Sequence, residues 1–241
     1  MFDNGFMFSG IDGCRYGWLM VGICRGKVRF QIEKEFSTML IFLSERARVL
    51  VDMPIGLLSG GDHFHRPCDI AARKYLGRKH SSVFSPPCLE ALYESDYASA
   101  SAVNDAILGK KLSKQSWNIA KRIREVNAFL HLHPNWRTRI LESHPEMAFM
   151  KLNDDHPLLF SKKTSEGIEE RLEILSRYLP VVKEVFNAMR LSEALKGKAM
   201  PDDMADALGL AVLNYVRKDK LTDISNVTLT DSLGNKMGIW V

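Results

Sequence analysis

Four acidic residues sit where the surrounding sequence is apolar. Asp12 closes the run FMFSGID, Asp52 closes ARVLVD just before Met53 and Pro54, Glu142 lies inside RILES, and Asp206 lies between Ala205 and Ala207 in MADALGLAV. A carboxylate in such surroundings is costly to desolvate unless it is paired, solvated at a strand end, or bound to a metal. Two carboxylates brought close together repel, and one tends to protonate, whereas a divalent cation lets both stay ionised. Oxygen donors suit Mg2+ or Mn2+, and two such ions about 3.5 to 4 Å apart can stabilise the attacking and leaving oxygens of phosphodiester hydrolysis. Asp203 stands three residues before Asp206, on the same face of a helix, and can add a further ligand. Each acid also has a plainer reading. Asp12 before Gly13 and Asp52 before Pro54 suit turn formers, and Asp202 and Asp203 after Pro201 suit helix caps. Glu146 after Pro145 suits the start of a helix, so Glu142 ranks above it as a site residue. Asp206 is the hardest to set aside, because its helix is too apolar to lie on the surface.

These acids need elements to gather them. Strands are expected near 6–12, 17–24, 28–36, 48–52 and 138–143, the third with apolar alternation at Val28, Phe30 and Ile32. The short links after residues 12 and 24 suit antiparallel hairpins. FSTMLIFLSERA has helical spacing with Ser37 as N-cap, and helices are expected over 69–76, 113–131, EGIEERLEILSRYL and DDMADALGLAVLNYV. Three meandering strands, a helix, a strand, an insertion and then helix, strand and helix give an α/β fold with a mixed five-stranded sheet. Three of its strands are antiparallel and two parallel, with helices on both faces, which is the order of the ribonuclease H-like fold. In that order the first and fourth strands are parallel neighbours, so Asp12 and Asp52 share one crevice. No repeat or linker divides the chain, which is read as a single domain over 1–241 with a basic insertion at about 57–112, expected to lie over the sheet.

Within that insertion Arg66, Arg73, Lys74, Arg78 and Lys79 are interspersed with Tyr75 and Phe84, a composition suited to a phosphate backbone with some base stacking, or to an ordinary solvated helix face. Lys162 and Lys163, ahead of Thr164 and Gly167, suit approach to a phosphate. Arg66, Arg73, Arg78, Lys79 and Lys163 are therefore the candidate nucleic-acid contacts. His63, His65, Cys68 and Cys88 match no usual zinc spacing and read as loop histidines and buried thiols. His144 is a candidate proton shuttle or a structural residue. The 241 residues, 46% hydrophobic with a formal net charge of +4, suit a packed core and permit an anionic partner without requiring one. Four scattered cysteines, an N-terminal stretch unlike a secretory signal and the absence of an 18-residue apolar run point to a cytoplasmic chain with reduced thiols and no membrane span.

The motifs GIDGCRYGW, VDMPIGL, RPCDIAARKYLGRKHSSVFSPP, ESHPE, SKKTSEG and DDMADALGLA, in that order, resemble those of domain-of-unknown-function family 429, over nearly the whole chain. The resemblance implies a metal-dependent nuclease of the ribonuclease H-like kind, similar in its acids to Holliday-junction resolvases. Asp12, Asp52 and Asp206 fall on the acidic positions. Cys88, after Pro86 and Pro87, stands where a basic residue is expected, which removes one phosphate contact. Resolvases act as dimers, which leaves a homodimer open, but nothing in the sequence marks a dimer surface. Two rival readings remain. An actin-like ATP-dependent phosphotransferase shares the sheet and the Asp-Gly turn of GIDG, but such proteins repeat the fold in two lobes. A non-enzymatic nucleic-acid-binding protein would keep the acids for stability alone.

Overall fold

The structure, a computed structural model, describes residues 5–60 and 64–241. The chain forms two compact units. The first comprises Met1–Asp52, Arg139–Leu221 and Val241, and the second comprises Met53–Thr138 and Thr222–Trp240.

The strands are β1 (Phe6–Gly13), β2 (Trp18–Cys24), β3 (Lys27–Glu33), β4 (Leu43–Val51), β5 (Ile140–Glu142), β6 (Leu229–Thr230) and β7 (Lys236–Met237). The helices are α1 (Pro67–Leu76), α2 (Leu89–Leu92), α3 (Tyr97–Leu108), α4 (Lys114–Asn118), α5 (Ala120–Leu132), α6 (Pro145–Leu152), α7 (Ser165–Ser176), α8 (Val182–Leu191) and α9 (Pro201–Arg217). Among the described residues, no helix is long and apolar enough to cross a membrane.

Unit one holds the expected α/β sheet, with strand order β3-β2-β1-β4-β5 and helices around it. β1 to β3 are antiparallel, and β4 and β5 run parallel to β1. The hairpin between β2 and β3 turns at Arg25 and Gly26, both at positive φ. The stretch read as a helix from FSTMLIFLSERA is instead a 3-10 helix over Phe36–Phe42, and β4 begins at once with Leu43. Glu35, not Ser37, holds the cap position. The alternative won because the strand buries Ala47, Val49, Leu50 and Val51 against β1, a gain that a short amphipathic helix does not match.

α9 is buried over nearly its whole length and packs on β1, β2 and β4. Gly10 makes the close approach possible, since a Cβ there would collide with the backbone of Ala207 and Ala211. At its other end Asn214 donates to the carbonyls of Ser9 (3.0 Å) and Arg48 (2.8 Å) and accepts from Arg48 Nε (2.8 Å). One amide thus fixes α9 to both parallel strands, and its buried polar atoms are paired.

Unit two contains α1 to α5 and the β6/β7 hairpin. The helix expected over 113–131 is broken at Ile119 into α4, capped by Ser113, and α5. The buried Asp231 carboxylate accepts from the backbone of Leu57, Leu233 and Asn235, joining the two segments of this unit.

Candidate active site

Strand register brings the first two acids together. Ile11 pairs with Val51 across β1 and β4, and Asp52 N donates to Ile11 O (2.9 Å), so Asp12 and Asp52 occupy the next row of the parallel ladder. Residues in one row of a parallel pair point to the same face. Asp206 reaches them by a ruler built into α9. It lies eight residues before Asn214, about 12 Å along the helix axis, while Asp12 lies three residues beyond Ser9, about 10 Å along the strand. The helix start therefore meets the carboxyl end of the strands.

A fourth group comes from the loop before α7. Thr164 caps that helix by accepting from Gly167 N (3.1 Å), and Ser161 O accepts from Thr164 N (3.0 Å) and Oγ1 (3.1 Å). A Cβ at Gly167 would overlap the Ser161 carbonyl, so the loop lies tight against the helix start. Arg171, fully buried, donates to Gly167 O (2.9 Å) and Phe160 O (3.4 Å) and pairs with Glu146 (2.5 Å). This frame holds Lys162, whose ammonium donates to Asp206 Oδ2. The Asp206 side chain is 1% exposed and that of Lys162 34%.

The electrostatics show how closely these groups are coupled. Burial raises the Asp12 pKa well above the carboxylate range, the charges of Asp52, Asp206 and Asp203 raise it further, and Lys162 opposes them. Burial also raises Asp52, with His144 and Lys162 opposing and Glu146 adding to the rise. Burial pushes Asp206 up to about 7 despite Lys162 and Arg171, and Asp52 adds to the effect. For Lys162, burial favours the neutral amine, but Asp206, Asp52 and Asp12 outweigh it and hold the ammonium above the ordinary lysine range. Burial is the first cause of all three carboxylate shifts, and the neighbouring charges add to it or oppose it.

The remaining candidates distribute as follows. Asp203 accepts from Met200 N (2.8 Å), so it completes a helix capping box while its charge acts on Asp12. Glu142 is buried but pairs with Val51, one row before Asp12 and Asp52, so strand alternation turns it to the opposite face. Glu146, on the first turn of α6, is the glutamate whose charge reaches Asp52. Lys163 pairs with Asp202 (3.1 Å). In unit two Arg66 is 2% exposed and lies against Asp69 and Cys68, and Arg73 donates to Val83 O and Ser85 Oγ. Arg78 faces solvent and Lys79 is half-buried. Cys68 and Cys88 are buried thiols outside any disulfide, and His63 lies outside the described residues.

The chain matches the family model described as "Protein of unknown function (DUF429)" over residues 10–223. It belongs to that family. No curated protein and no solved structure matches. The matched span takes in Asp12, Asp52, Lys162 and Asp206 and stops before the β6/β7 hairpin. The DUF429 region thus carries the whole acidic group with its lysine. Sequence spacing did not single out Lys162 from Lys163. The signal available was the Thr164 cap and Gly167 after it, which mark a loop folded against a helix start, but not which lysine turns inward.

Among the described residues, no set of three or more His, Cys, Asp or Glu side chains is arranged to hold a metal ion. The cation inside the acidic group is the Lys162 ammonium. In kind, the donors fit a hard divalent ion, being all carboxylate oxygens, and Asp206 Oδ1 is buried without a hydrogen-bond partner.

Proposed function

We propose that unit one carries the centre of a phosphodiester hydrolase that cleaves nucleic acid with the aid of Mg2+ or Mn2+. One observation carries this reading. Three carboxylates, from β1, the end of β4 and α9, act on one another and on the Lys162 ammonium, which pairs with Asp206, and together they leave a formal surplus of two negative charges, the charge a divalent cation would balance. Asp12, Asp52 and Asp206 would hold the ion, with Asp203 and Glu146 acting on them from the margin.

A bound ion would supply charge neutralisation at the phosphate and a water of lowered pKa. All else falls to the chain. The frame of Asn214, Gly10 and the β1/β4 register fixes the carboxylates, so their orientation is set before a ligand arrives. Lys162, which pairs with Asp206, would be free to donate to a phosphate oxygen if another cation held that carboxylate. His144, whose charge acts on Asp52, would be the side chain to pass a proton to or from the acidic group. No protein nucleophile is required.

The test is a manganese-dependent cleavage screen over single strands, RNA–DNA hybrids, duplexes and branched junctions, run beside Asp12→Asn. Cleavage by the wild type that falls by orders of magnitude in the variant supports the reading. Equal cleavage by both proteins, or none on any substrate with manganese bound, defeats it.

A further inference from the structure

Unit two contains a cavity of about 420 Å3, within the usual range of ligand pockets. Its walls are held by bonds that do not involve a ligand. Arg73 on α1 donates twice to Val83 O (3.2 and 3.0 Å) and once to Ser85 Oγ (2.8 Å), which fixes the 83–85 wall. On the facing side, Asn104 of α3 accepts from Cys88 N (2.8 Å) and donates to Lys110 O (2.7 Å). Leu112 N donates to Ser101 Oγ (3.3 Å), and its carbonyl accepts from Tyr97 Oη (2.8 Å). The turn that carries Lys110 and Lys111 is therefore anchored through its backbone, and among the described residues neither ammonium group is used in that anchoring.

What the walls offer is a combination of flat apolar faces and positive charge. Phe64 is 58% exposed and Phe84 39% exposed, although both line the cavity. Lys110 and Lys111 line it too, and among the described residues no Asp or Glu does. Neither lysine has a carboxylate partner among the described residues. Exposed phenylalanines are stacking surfaces for any planar ring, and unpaired lysines beside them select an anion on that ring's attachment. A cationic or purely aliphatic ligand would leave one half of this chemistry unused.

We infer that this cavity takes an unstacked nucleotide of a single-stranded nucleic acid, its base against Phe64 or Phe84 and its phosphate near Lys110 and Lys111. The choice of a polymer rests on the nucleic-acid reading of the acidic centre. The choice of an unpaired base rests on the cavity alone, since base faces inside a duplex are covered by their neighbours.

The experiment measures binding of fluorescently labelled oligodeoxythymidylate, oligouridylate and a DNA duplex to the full chain, with EDTA present so that cleavage does not intervene. The wild type should bind a single strand better than the duplex, and the two single-stranded arms show whether DNA or RNA is preferred. Phe64→Ala with Phe84→Ala should weaken single-strand binding about tenfold or more, the loss of one stacked base. Lys110→Ala with Lys111→Ala should reduce the salt slope by roughly one to two. All four side chains are exposed, so thermal melts should be unchanged in these variants. No single-strand binding by the wild type at low salt overturns the proposal, as does binding that neither pair of substitutions alters. Manganese-dependent cleavage measured on the same proteins separates the two readings. Cleavage that persists without pocket binding removes the pocket and leaves the centre, and pocket binding without cleavage on any substrate does the reverse.

Discussion

Replacing Lys162 by Met removes the ammonium that, among the described residues, contacts Asp206, and keeps a similar apolar stem. A hydrogen bond to a charged group is worth about 1.5–3 kcal/mol, and losing one partner of a buried pair costs more because the other is left uncompensated. Lys162 is about one-third exposed, so water screens part of the interaction and the lower range applies. Asp206 can also protonate, which limits the loss. Without metal at pH 8, a destabilisation of about 1.5–3 kcal/mol should lower the Tm of a chain of this size by about 3–12 °C. Manganese should then stabilise the variant more than the wild type, since the ion no longer competes with an internal ammonium and ligand stabilisation follows affinity for the native state. Scanning fluorimetry in EDTA and across a manganese series reads both effects, and Lys162→Arg should restore the metal-free Tm. A Lys162→Met protein that melts with the wild type and responds identically to manganese would refute the placement of this ammonium inside the acidic group.

Asp12→Asn should leave the metal-free protein as stable as the wild type or more so, because it removes a charge that Asp52 and Asp206 repel, and should shrink the manganese shift in Tm. Unfolding of this variant with an intact manganese response would make Asp12 a turn residue only. The apparent manganese affinity should rise about tenfold from pH 6 to pH 8, because a metal ligand with a pKa of about 7, as for Asp206, must lose its proton first. Calorimetric titration at the two pH values checks this, and a flat profile tells against Asp206 as a ligand. In the metal-free protein the sign is opposite. Asp206 binds more protons folded than unfolded between its ordinary and raised pKa, so its contribution to stability falls as pH climbs from about 4 to about 7, and Asp206→Asn should flatten that part of the denaturant-midpoint profile. Gly10→Ala should cost about 1–3 kcal/mol in urea unfolding, since α9 must move off β1, and should weaken the manganese response as Asp206 moves with it. An unchanged midpoint would show that the close approach at Gly10 is not needed.

The sheet was legible because its signals are local. Val28, Phe30 and Ile32 alternate, the hairpins are short, and each acid that ends an apolar run marks a strand end. The stretch after Phe36 was less legible, because FSTMLIFLSERA satisfies a helical period and its pairing with β1 is a tertiary fact. The break at Ile119 has no Gly or Pro to mark it. α8 carries a stripe at Val182, Phe186 and Met189 that spacing alone could have identified. In the site, Asp12, Asp52 and Asp206 stood out because their flanks are apolar, a property written in the neighbouring residues. Glu142 stands out by the same criterion, yet the face it takes depends on the register between β4 and β5, while Glu146 is carried by the first turn of α6. Lys162 carries no such mark, because a lysine in a polar loop looks alike whether it points outward or in.

Turn formation and helix capping account for part of what these acids do. Asp12 accepts from Gly13 N (2.7 Å), as a turn former would, and Asp203 completes a helix cap. Neither role needs three buried carboxylates that act on one another. An asparagine at residue 12 would serve the turn equally, and a capping acid belongs on the first turn, as Asp203 does, not three residues further into a buried helix. Asp206 has no comparable local role. Burial lifts its pKa from the ordinary carboxylate range to about 7, so above that pH its ionised form weighs against the native state. Folding gains nothing from that arrangement, and an alanine among Ala205, Ala207 and Ala211 would remove the strain. Gly10 and Asn214 nonetheless hold α9 where Asp206 must meet Asp12 and Asp52. A frame this specific, set around a charge imbalance that one lysine leaves incomplete, follows if the native state is completed by a second, removable cation.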